Sequence, residues 1–168
     1  ARALSLSPDH VEMIREAALL HDVGKIGIAE HILNKPGKLT EEEYEIMKSH
    51  VENSIGIIRH LPSLDYVIPA VIGHHERYDG TGYPRRIAGE DIPLGARILC
   101  IADSFDAMVS KRSYKQSYPL EKALEILEEE AGRQFDPALI PVFVSLLREG
   151  KLQVQGDGLP PKAQRHKP

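Results

Sequence analysis

Apolar residues recur along this chain at the three- and four-residue spacing of amphipathic helices, and no segment shows the alternate spacing of strands. Ser7 followed by Pro8 is typical of a helix start, because serine caps free backbone amides and proline fits the first turn. Val11, Ile14 and Ala18 then lie on one helical face. The pattern predicts a first amphipathic helix that begins at Pro8.

A longer apolar stripe follows a second helix-start signal. Thr40 and Glu43 have the spacing of a capping box, in which each side chain accepts a hydrogen bond from the backbone amide of the other. The stripe behind them consists of Tyr44, Met47, Val51, Ile55 and Ile58. We therefore predict one helix from about residue 41 to the proline at position 62, with His50 inside it.

Proline and glycine mark the bounds of four more predicted helices. Their expected starts are Pro69, Pro93, Pro119 and Pro137, the last with Asp136 as its N-cap. The final two helices are expected to end near residues 131 and 148, the first of them just before a glycine. The chain is therefore predicted to be an all-α bundle of about six helices.

The composition fits one globular domain. The chain has 168 residues, of which 42% are hydrophobic, and this is enough for one buried core. Residues 1–150 carry the helical pattern, whereas residues 151–168 are polar and rich in proline. We predict one helical domain over residues 1–150 and a flexible C-terminal tail over residues 151–168.

Charge and cysteine content exclude several functional classes. A formal net charge of −4 gives no global basic field, so duplex nucleic acid is not an expected partner. No apolar run approaches the roughly 20 residues of a membrane span, and no membrane contact is expected within this chain. The single cysteine, Cys100, excludes an internal disulfide, and no secretion signal stands at the N-terminus. These features favour a cytoplasmic location.

Six histidine and aspartate residues stand out because they fall on predicted helices or their ends, in four separate segments. They are His21, Asp22, His50, His74, His75 and Asp103. Imidazole and carboxylate groups without thiolates suit octahedral manganese, iron, nickel or zinc sites better than structural zinc sites. Adjacent residues such as His21 and Asp22 point about 100° apart on a helix, which suits two neighbouring ions bridged by the Asp22 carboxylate. This set predicts a two-metal hydrolase that acts on phosphate esters.

Two basic features and one turn accompany these residues. Lys25 lies about one helical turn after His21, where it either donates to a substrate phosphate, complements the helix dipole, or does both. The segment KRSYK, residues 111–115, directly follows the fourth predicted helix and is either an anion-binding loop or a solvated one. The segment DGTGYP, residues 79–84, displays Tyr83 beside the histidine pair and either shapes the site or is only a tight turn.

Five segments together resemble a known family. HDVGK, HHERYDGTGYP, IADSFDAM, KRSYK and GRQFDP occur in the order and spacing of HD-GYP domains, a branch of the HD phosphohydrolase superfamily, and the resemblance covers roughly residues 8–148. It implies an HD-type helical bundle and a centre of two or three divalent ions, with iron or manganese favoured. It also implies hydrolysis of cyclic di-GMP to linear pGpG, to GMP, or to both.

The resemblance further implies roles for individual residues. The six histidine and aspartate residues named above become the metal ligands, and Asp22 and Lys25 become the catalytic residues. Lys25, Arg112, Lys115 and Tyr83 become substrate-binding residues. The implied partners are cyclic di-GMP and a diguanylate cyclase (GGDEF), sensor or receiver domain, and a homodimer is compatible with the same resemblance.

Two alternative functions stay open at this stage. One is a catalytically weak or inactive HD-GYP signalling module that binds the ligand or a diguanylate cyclase partner, and the other is an HD phosphohydrolase of mononucleotides. HD-GYP domains usually begin with a further helix that carries a histidine ligand, and this chain starts at Ala1, after that helix. We therefore expect one metal position to lack a protein ligand, with weaker metal binding and lower turnover as the result.

Overall fold

The computed structural model describes residues 1–110 and 117–152 of the chain. Within these residues the chain is an all-α bundle without a β-strand, which confirms the predicted fold class. The α-helices in this part of the chain are α1 (Pro8–Leu20), α2 (Glu30–Leu33), α3 (Glu41–Lys48), α4 (His50–Ile58), α5 (Ile68–Gly73), α6 (Leu94–Val109), α7 (Leu120–Glu129) and α8 (Ile140–Arg148). Short 3-10 helices cover Arg2–Leu4, Val23–Gly27, Pro62–Val67 and Gly89–Asp91.

Helix α6 is central to the fold because its sides pack in two hydrophobic clusters. One side contributes Cys100 and Phe105 to a cluster that also contains Leu127 of α7 and Val144 of α8. The other side contributes Leu99 to a cluster with residues of α1 and α5. A smaller cluster joins α4 to α5. Helices α1, α4, α5 and α6 are therefore held together, and the candidate metal ligands lie at their ends or on them.

The second predicted helix is two helices in the structure. Helix α3 ends at Lys48, α4 begins at His50, and Ser49 stands between them. The Ser49 hydroxyl donates to the Ile46 carbonyl at 2.6 Å, and Nδ1 of His50 lies 2.7 Å from the Met47 carbonyl oxygen. The Ser49 and His50 side chains thus hydrogen-bond to backbone carbonyls that the backbone amides of a continuous helix would also use. The prediction of one continuous helix was wrong, and His50 lies at a helix start.

The last predicted helix begins later than expected. Asp136 precedes a turn that begins at Pro137, and α8 begins only at Ile140. The Asp136 carboxylate accepts a hydrogen bond from the Ala138 amide at 2.8 Å and pairs with Arg97 of α6 at 2.6 Å. It therefore ties this turn to α6 instead of capping α8. Helix α2 was also missed, because one helical turn is too short to show a hydrophobic period.

The other predicted helix starts are confirmed. Pro69 lies in the first turn of α5, and Pro93 and Pro119 immediately precede α6 and α7. No helix in the described part of the chain is long and apolar enough to cross a membrane. Most of the predicted tail, residues 153–168, lies outside the described residues, so its flexibility and the domain boundary at residue 150 stay predictions.

Candidate metal centre

The turn after α1 is fastened to α4 by a buried serine. Ser54 Oγ accepts a hydrogen bond from the Gly24 amide at 2.8 Å and donates one to the His21 carbonyl at 2.9 Å. Gly24 lies so close to α4 that a Cβ there would stand 2.1 Å from the His50 carbonyl oxygen. The segment HDVGK is therefore held against the start of α4. This contact brings His21 and Asp22 next to His50.

Four helices contribute side chains to one cluster, which we call the His/Asp cluster. Its members are His21 and Asp22 after α1, His50 at the start of α4, His74 and His75 after α5, and Asp103 on α6. The ligand atoms of His50, His74 and His75 lie within 4.8 Å of one another, and so do those of His21, Asp22 and His74. Asp103 Oδ1 lies 3.7 Å from His21 Nε2. The structure thus brings all six predicted ligand residues together.

Backbone carbonyls orient three of the imidazole rings in the same way. In His21, His50 and His74, Nδ1 lies 2.5 to 2.7 Å from the carbonyl oxygen three residues earlier. Because a carbonyl oxygen only accepts hydrogen bonds, Nδ1 carries a proton in each ring. Nε2 is therefore the nitrogen turned toward the cluster. Metal-binding histidines typically have such a carbonyl partner behind the ring.

Asp22 lies between the imidazole rings. Its Oδ2 is 3.3 Å from His21 Nε2, and its Oδ1 is 3.5 Å from His50 Nε2. Lys25 Nζ donates to Oδ2 at 2.5 Å. Lys25 lies on the 3-10 helix after α1 and reaches the cluster through Asp22, not as a continuation of the α1 face. Since its two oxygens face different histidines, the Asp22 carboxylate has the geometry of a bridging group.

The donor set fits a divalent cation. Nε2 of His74 is buried and has no hydrogen-bond partner among the described residues, which is costly unless another group satisfies it. Nε2 of His21 faces the Asp22 and Asp103 carboxylates at 3.3 and 3.7 Å. Nε2 of His50 and Nε2 of His75 are 3.2 Å apart. Metal–nitrogen bonds of about 2.0–2.1 Å place neighbouring donors at one ion about 3 Å apart. Nitrogen and carboxylate donors at these separations can therefore hold a metal.

Burial and the carboxylates give the histidines opposite protonation states. Burial lowers the pKa of His74 to about 4 and that of His75 to about 3. Burial also acts on His21, but the Asp103 and Asp22 carboxylates outweigh it and raise the pKa of His21 to about 10. At pH 7 the metal-free cluster therefore contains neutral His74 and His75 and a protonated His21.

Metal binding is expected to release a proton from His21 near neutral pH, because a coordinating imidazole must be neutral. The apparent metal affinity should rise about tenfold per pH unit between about pH 6 and 8, since this range lies below the His21 pKa of about 10. His74 and His75 should add no proton, because their pKa values lie below this range. Calorimetric titration with Mn²⁺ in two buffers of different ionisation enthalpy measures the release. Equal heats in both buffers at pH 7 would contradict the prediction.

Glu76 is a site residue that the sequence reasoning missed. It is 2% exposed, and its Oε1 accepts a hydrogen bond from the Arg85 amide at 2.6 Å. The Tyr83 amide donates to the His75 carbonyl at 3.2 Å, so two hydrogen bonds fix this loop against the histidine pair. As a result the Tyr83 ring stacks on His75, with 4.8 Å between the ring centroids. The only sequence signal for Glu76 is a carboxylate directly after two histidines.

Replacement of Glu76 by alanine should loosen the Tyr83 loop. The Arg85 amide then loses its acceptor, and we expect the free energy of unfolding to fall by about 1–3 kcal/mol. Glu76→Gln keeps an oxygen acceptor and should lose less. Urea unfolding measures the difference, and hydrogen exchange of the Arg85 amide reports the loop directly. Unchanged exchange of that amide in Glu76→Ala would show that the side chain does not hold the loop.

Residues 1–139 match the family described as HD domain. The chain belongs to the HD domain family. This assignment confirms the family resemblance read from the sequence, and the His21-Asp22 pair stands in the HDVGK segment of this HD domain.

Curated relatives of this HD domain include several cyclic dinucleotide phosphodiesterases. This chain is 44% identical over 151 residues to a cyclic di-GMP phosphodiesterase of Thermotoga maritima, and the match covers 89% of this chain and 41% of that protein. It is 43% identical over 148 residues to 3'3'-cGAMP-specific phosphodiesterase 2 of Vibrio cholerae, covering 86% of this chain and 28% of that protein. The chain thus spans less than half the length of these relatives.

A solved structure shows the same fold. The crystal structure of a cyclic GMP-AMP-specific phosphodiesterase of Vibrio cholerae superposes on this HD domain with a TM-score of 0.67 and 22% sequence identity. The match covers 88% of this chain and 41% of the other. At this identity the likeness supports the HD-type helical bundle alone.

The predicted substrate-binding residues divide into two groups. Lys25 contacts Asp22, and Tyr83 stacks on His75, so both lie beside the His/Asp cluster. Arg112 and Lys115 lie outside the described residues. Their roles stay predictions.

Proposed function

We propose that this HD domain is a metal-dependent phosphodiesterase that hydrolyses cyclic di-GMP to linear pGpG, to GMP, or to both. One observation carries the proposal: three imidazole rings are locked by backbone carbonyls with Nε2 turned toward Asp22 or its neighbours. The names of curated relatives supply the substrate class, since proteins 42% and 44% identical to this chain are named cyclic di-GMP phosphodiesterases.

Two divalent ions, or three, are proposed to occupy the His/Asp cluster, with iron or manganese favoured. The donors form two groups that share His74: one is His50, His74 and His75, and the other is His21, Asp22 and His74, with Asp103 beside it. Because only one ring nitrogen of His74 is free to bind a metal, His74 would serve one of the two positions. Ions of this kind activate water and neutralise phosphate charge when bound. The buried Nε2 atom of His74, which has no partner among the described residues, supports this proposal, because a cation would satisfy it.

The chain's own residues would orient the substrate around this centre. Lys25 already donates to Asp22 and carries its ammonium group at the cluster, where it can donate to an anionic phosphate oxygen. Tyr83 is held over His75 and offers a ring and a hydroxyl at the edge of the cluster. Arg112 and Lys115, on the KRSYK segment, are proposed to bind the ligand's phosphates or guanine edges.

Cyclic GMP-AMP is a second candidate substrate. Relatives 43% and 42% identical to this chain are named 3'3'-cGAMP-specific phosphodiesterases, which puts them as close in sequence as the cyclic di-GMP enzymes. A catalytically weak signalling module and a mononucleotide phosphohydrolase stay as alternatives. A diguanylate cyclase, sensor or receiver partner and a homodimer stay predictions of the resemblance, and a cytoplasmic location stays a prediction of the sequence composition.

Turnover of both cyclic dinucleotides tests the proposal. The purified chain, reconstituted with Mn²⁺ or with Fe²⁺ under anaerobic conditions, is incubated with cyclic di-GMP and, separately, with 3'3'-cGAMP. Chromatography then identifies pGpG, GMP or the linear mixed dinucleotide. We expect metal-dependent product formation that chelation abolishes. A metal-loaded chain that cleaves neither compound, or cleavage that chelation leaves unchanged, would overturn the proposed function.

A further inference from the structure

A row of aromatic rings leads from the His/Asp cluster to the surface. The Tyr83 ring stacks on His75 with 4.8 Å between centroids and 23° between planes. The Tyr44 ring meets Tyr83 edge to face, with 6.3 Å between centroids. Tyr44 belongs to α3 and is 47% exposed. The row therefore ends in an aromatic side chain that is available to a ligand bound beside the metal centre.

A lysine ammonium group lies over this row. Lys48 Nζ is 5.2 Å from the Tyr44 ring centroid and 5.7 Å from that of Tyr83. Tyr44 and Lys48 are four residues apart on α3 and so share one helical face. Lys48 also pairs with Glu45 at 2.5 Å, and its side chain keeps partial exposure. A positive charge is thus held over two rings and remains partly exposed to water.

The combination matches the chemistry of a nucleotide. Purine bases stack on aromatic faces, and an ammonium group binds the phosphate attached to the same nucleotide. Neither Tyr44 nor Lys48 is needed to hold a metal, since the six members of the His/Asp cluster supply the donors there. The Tyr44 ring is 47% exposed and lies under the Lys48 ammonium group, so it contributes little to the hydrophobic core. The Lys48 side chain is also partly exposed, so both residues can contact a ligand in addition to their present partners.

We propose that Tyr44 and Lys48 form a nucleotide subsite at the edge of the metal centre. Tyr44 stacks on one purine base of a cyclic dinucleotide, and Lys48 binds the phosphate that is not being cleaved. The inference deepens the proposed function, because it assigns the part of the substrate farther from the metals to helix α3. It adds α3 to the elements that contact substrate, and α3 carries no member of the His/Asp cluster.

Binding of a hydrolysis-resistant phosphorothioate analogue of cyclic di-GMP to the metal-loaded chain tests this subsite. Tyr44→Leu should weaken binding by about 5- to 150-fold, the range for loss of one base–aromatic stack. Tyr44→Phe keeps the ring and should retain the affinity. Lys48→Gln should weaken binding and reduce its salt dependence, whereas Lys48→Arg should restore both. Metal content should be unchanged in all four variants.

Tyr66→Leu is the matched control, because Tyr66 is 50% exposed but contacts Glu16 of α1 instead of the His/Asp cluster. Equal affinities of the wild-type chain and Tyr44→Leu overturn the subsite, as does a loss of affinity of the same size in Tyr66→Leu. A chain that binds the analogue through Tyr44 but cleaves no cyclic dinucleotide overturns the proposed function and leaves the subsite in place. A metal-loaded wild-type chain that does not bind the analogue overturns both.

Discussion

An Asp22→Ala chain is expected to lose its bound metal and at least about a thousandfold in cyclic dinucleotide turnover. Asp22 Oδ2 lies 3.3 Å from His21 Nε2 and also accepts a hydrogen bond from Lys25, and Asp22 Oδ1 lies 3.5 Å from His50 Nε2. Among the ion pairs of the described residues, Asp22 is the carboxylate that pairs with both histidines. Metal ions in hydrolases typically supply several kcal/mol of transition-state stabilisation, and each 1.36 kcal/mol corresponds to a tenfold change in rate. Loss of the proposed metals should therefore have an effect of this size. Elemental analysis and product chromatography measure the two losses.

A second aspartate provides the matched control for this experiment. Asp106 lies one turn after Asp103 on α6, is exposed, and accepts a hydrogen bond from Ser110 instead of facing the cluster. Asp106→Ala should keep both metal content and turnover. Far-UV circular dichroism should show the same helicity for both variants, which separates loss of the site from loss of the fold. Full metal content and turnover in Asp22→Ala would disprove the assignment of Asp22 as a bridging ligand.

The fold class and most helix starts could be predicted because they depend on local patterns. Pro69, Pro93 and Pro119 act within one turn of their own position, and the apolar period shows which helix faces are buried. The break at Ser49 could not be predicted from the same pattern, since the apolar period of α3 continues unchanged into α4. That break depends on side chains that compete for backbone carbonyls.

The candidate site was predictable where its residue types are chemically unusual and close in sequence. Adjacent pairs such as His21-Asp22 and His74-His75 are visible in the sequence, and the structure places them together. Ser54 and Glu76 were not predictable, because their roles depend on partners far along the chain or in an irregular loop. A buried serine on an apolar helix face gives no local sign that it holds another segment.

Replacement of Gly24 by alanine should lower the stability of the fold strongly. A Cβ at this position would stand 2.1 Å from the His50 carbonyl oxygen and 2.3 Å from the Ser54 amide nitrogen, and both are backbone atoms of α4. The 3-10 helix after α1 would have to move away from α4, and the hydrogen bond from the Gly24 amide to Ser54 would break. We expect the free energy of unfolding to fall by about 3 kcal/mol or more, at the upper end for overpacked sites.

Gly56 supplies the control for that prediction, because it lies within α4 and a Cβ there would meet nothing within 4 Å. Gly56→Ala should raise the free energy of unfolding by about 0.5–1 kcal/mol, since alanine favours a helix more than glycine does. Urea unfolding of both variants in the presence of a chelator measures stability without the contribution of bound metal.

Because Gly24 connects the HDVGK turn to α4, Gly24→Ala should also lower Mn²⁺ binding, whereas Gly56→Ala should not. Equal stabilities of the two variants would show that the turn after α1 can move away from α4 at no cost in stability. In that case the close approach at Gly24 would not be what places His21 and Asp22 beside His50.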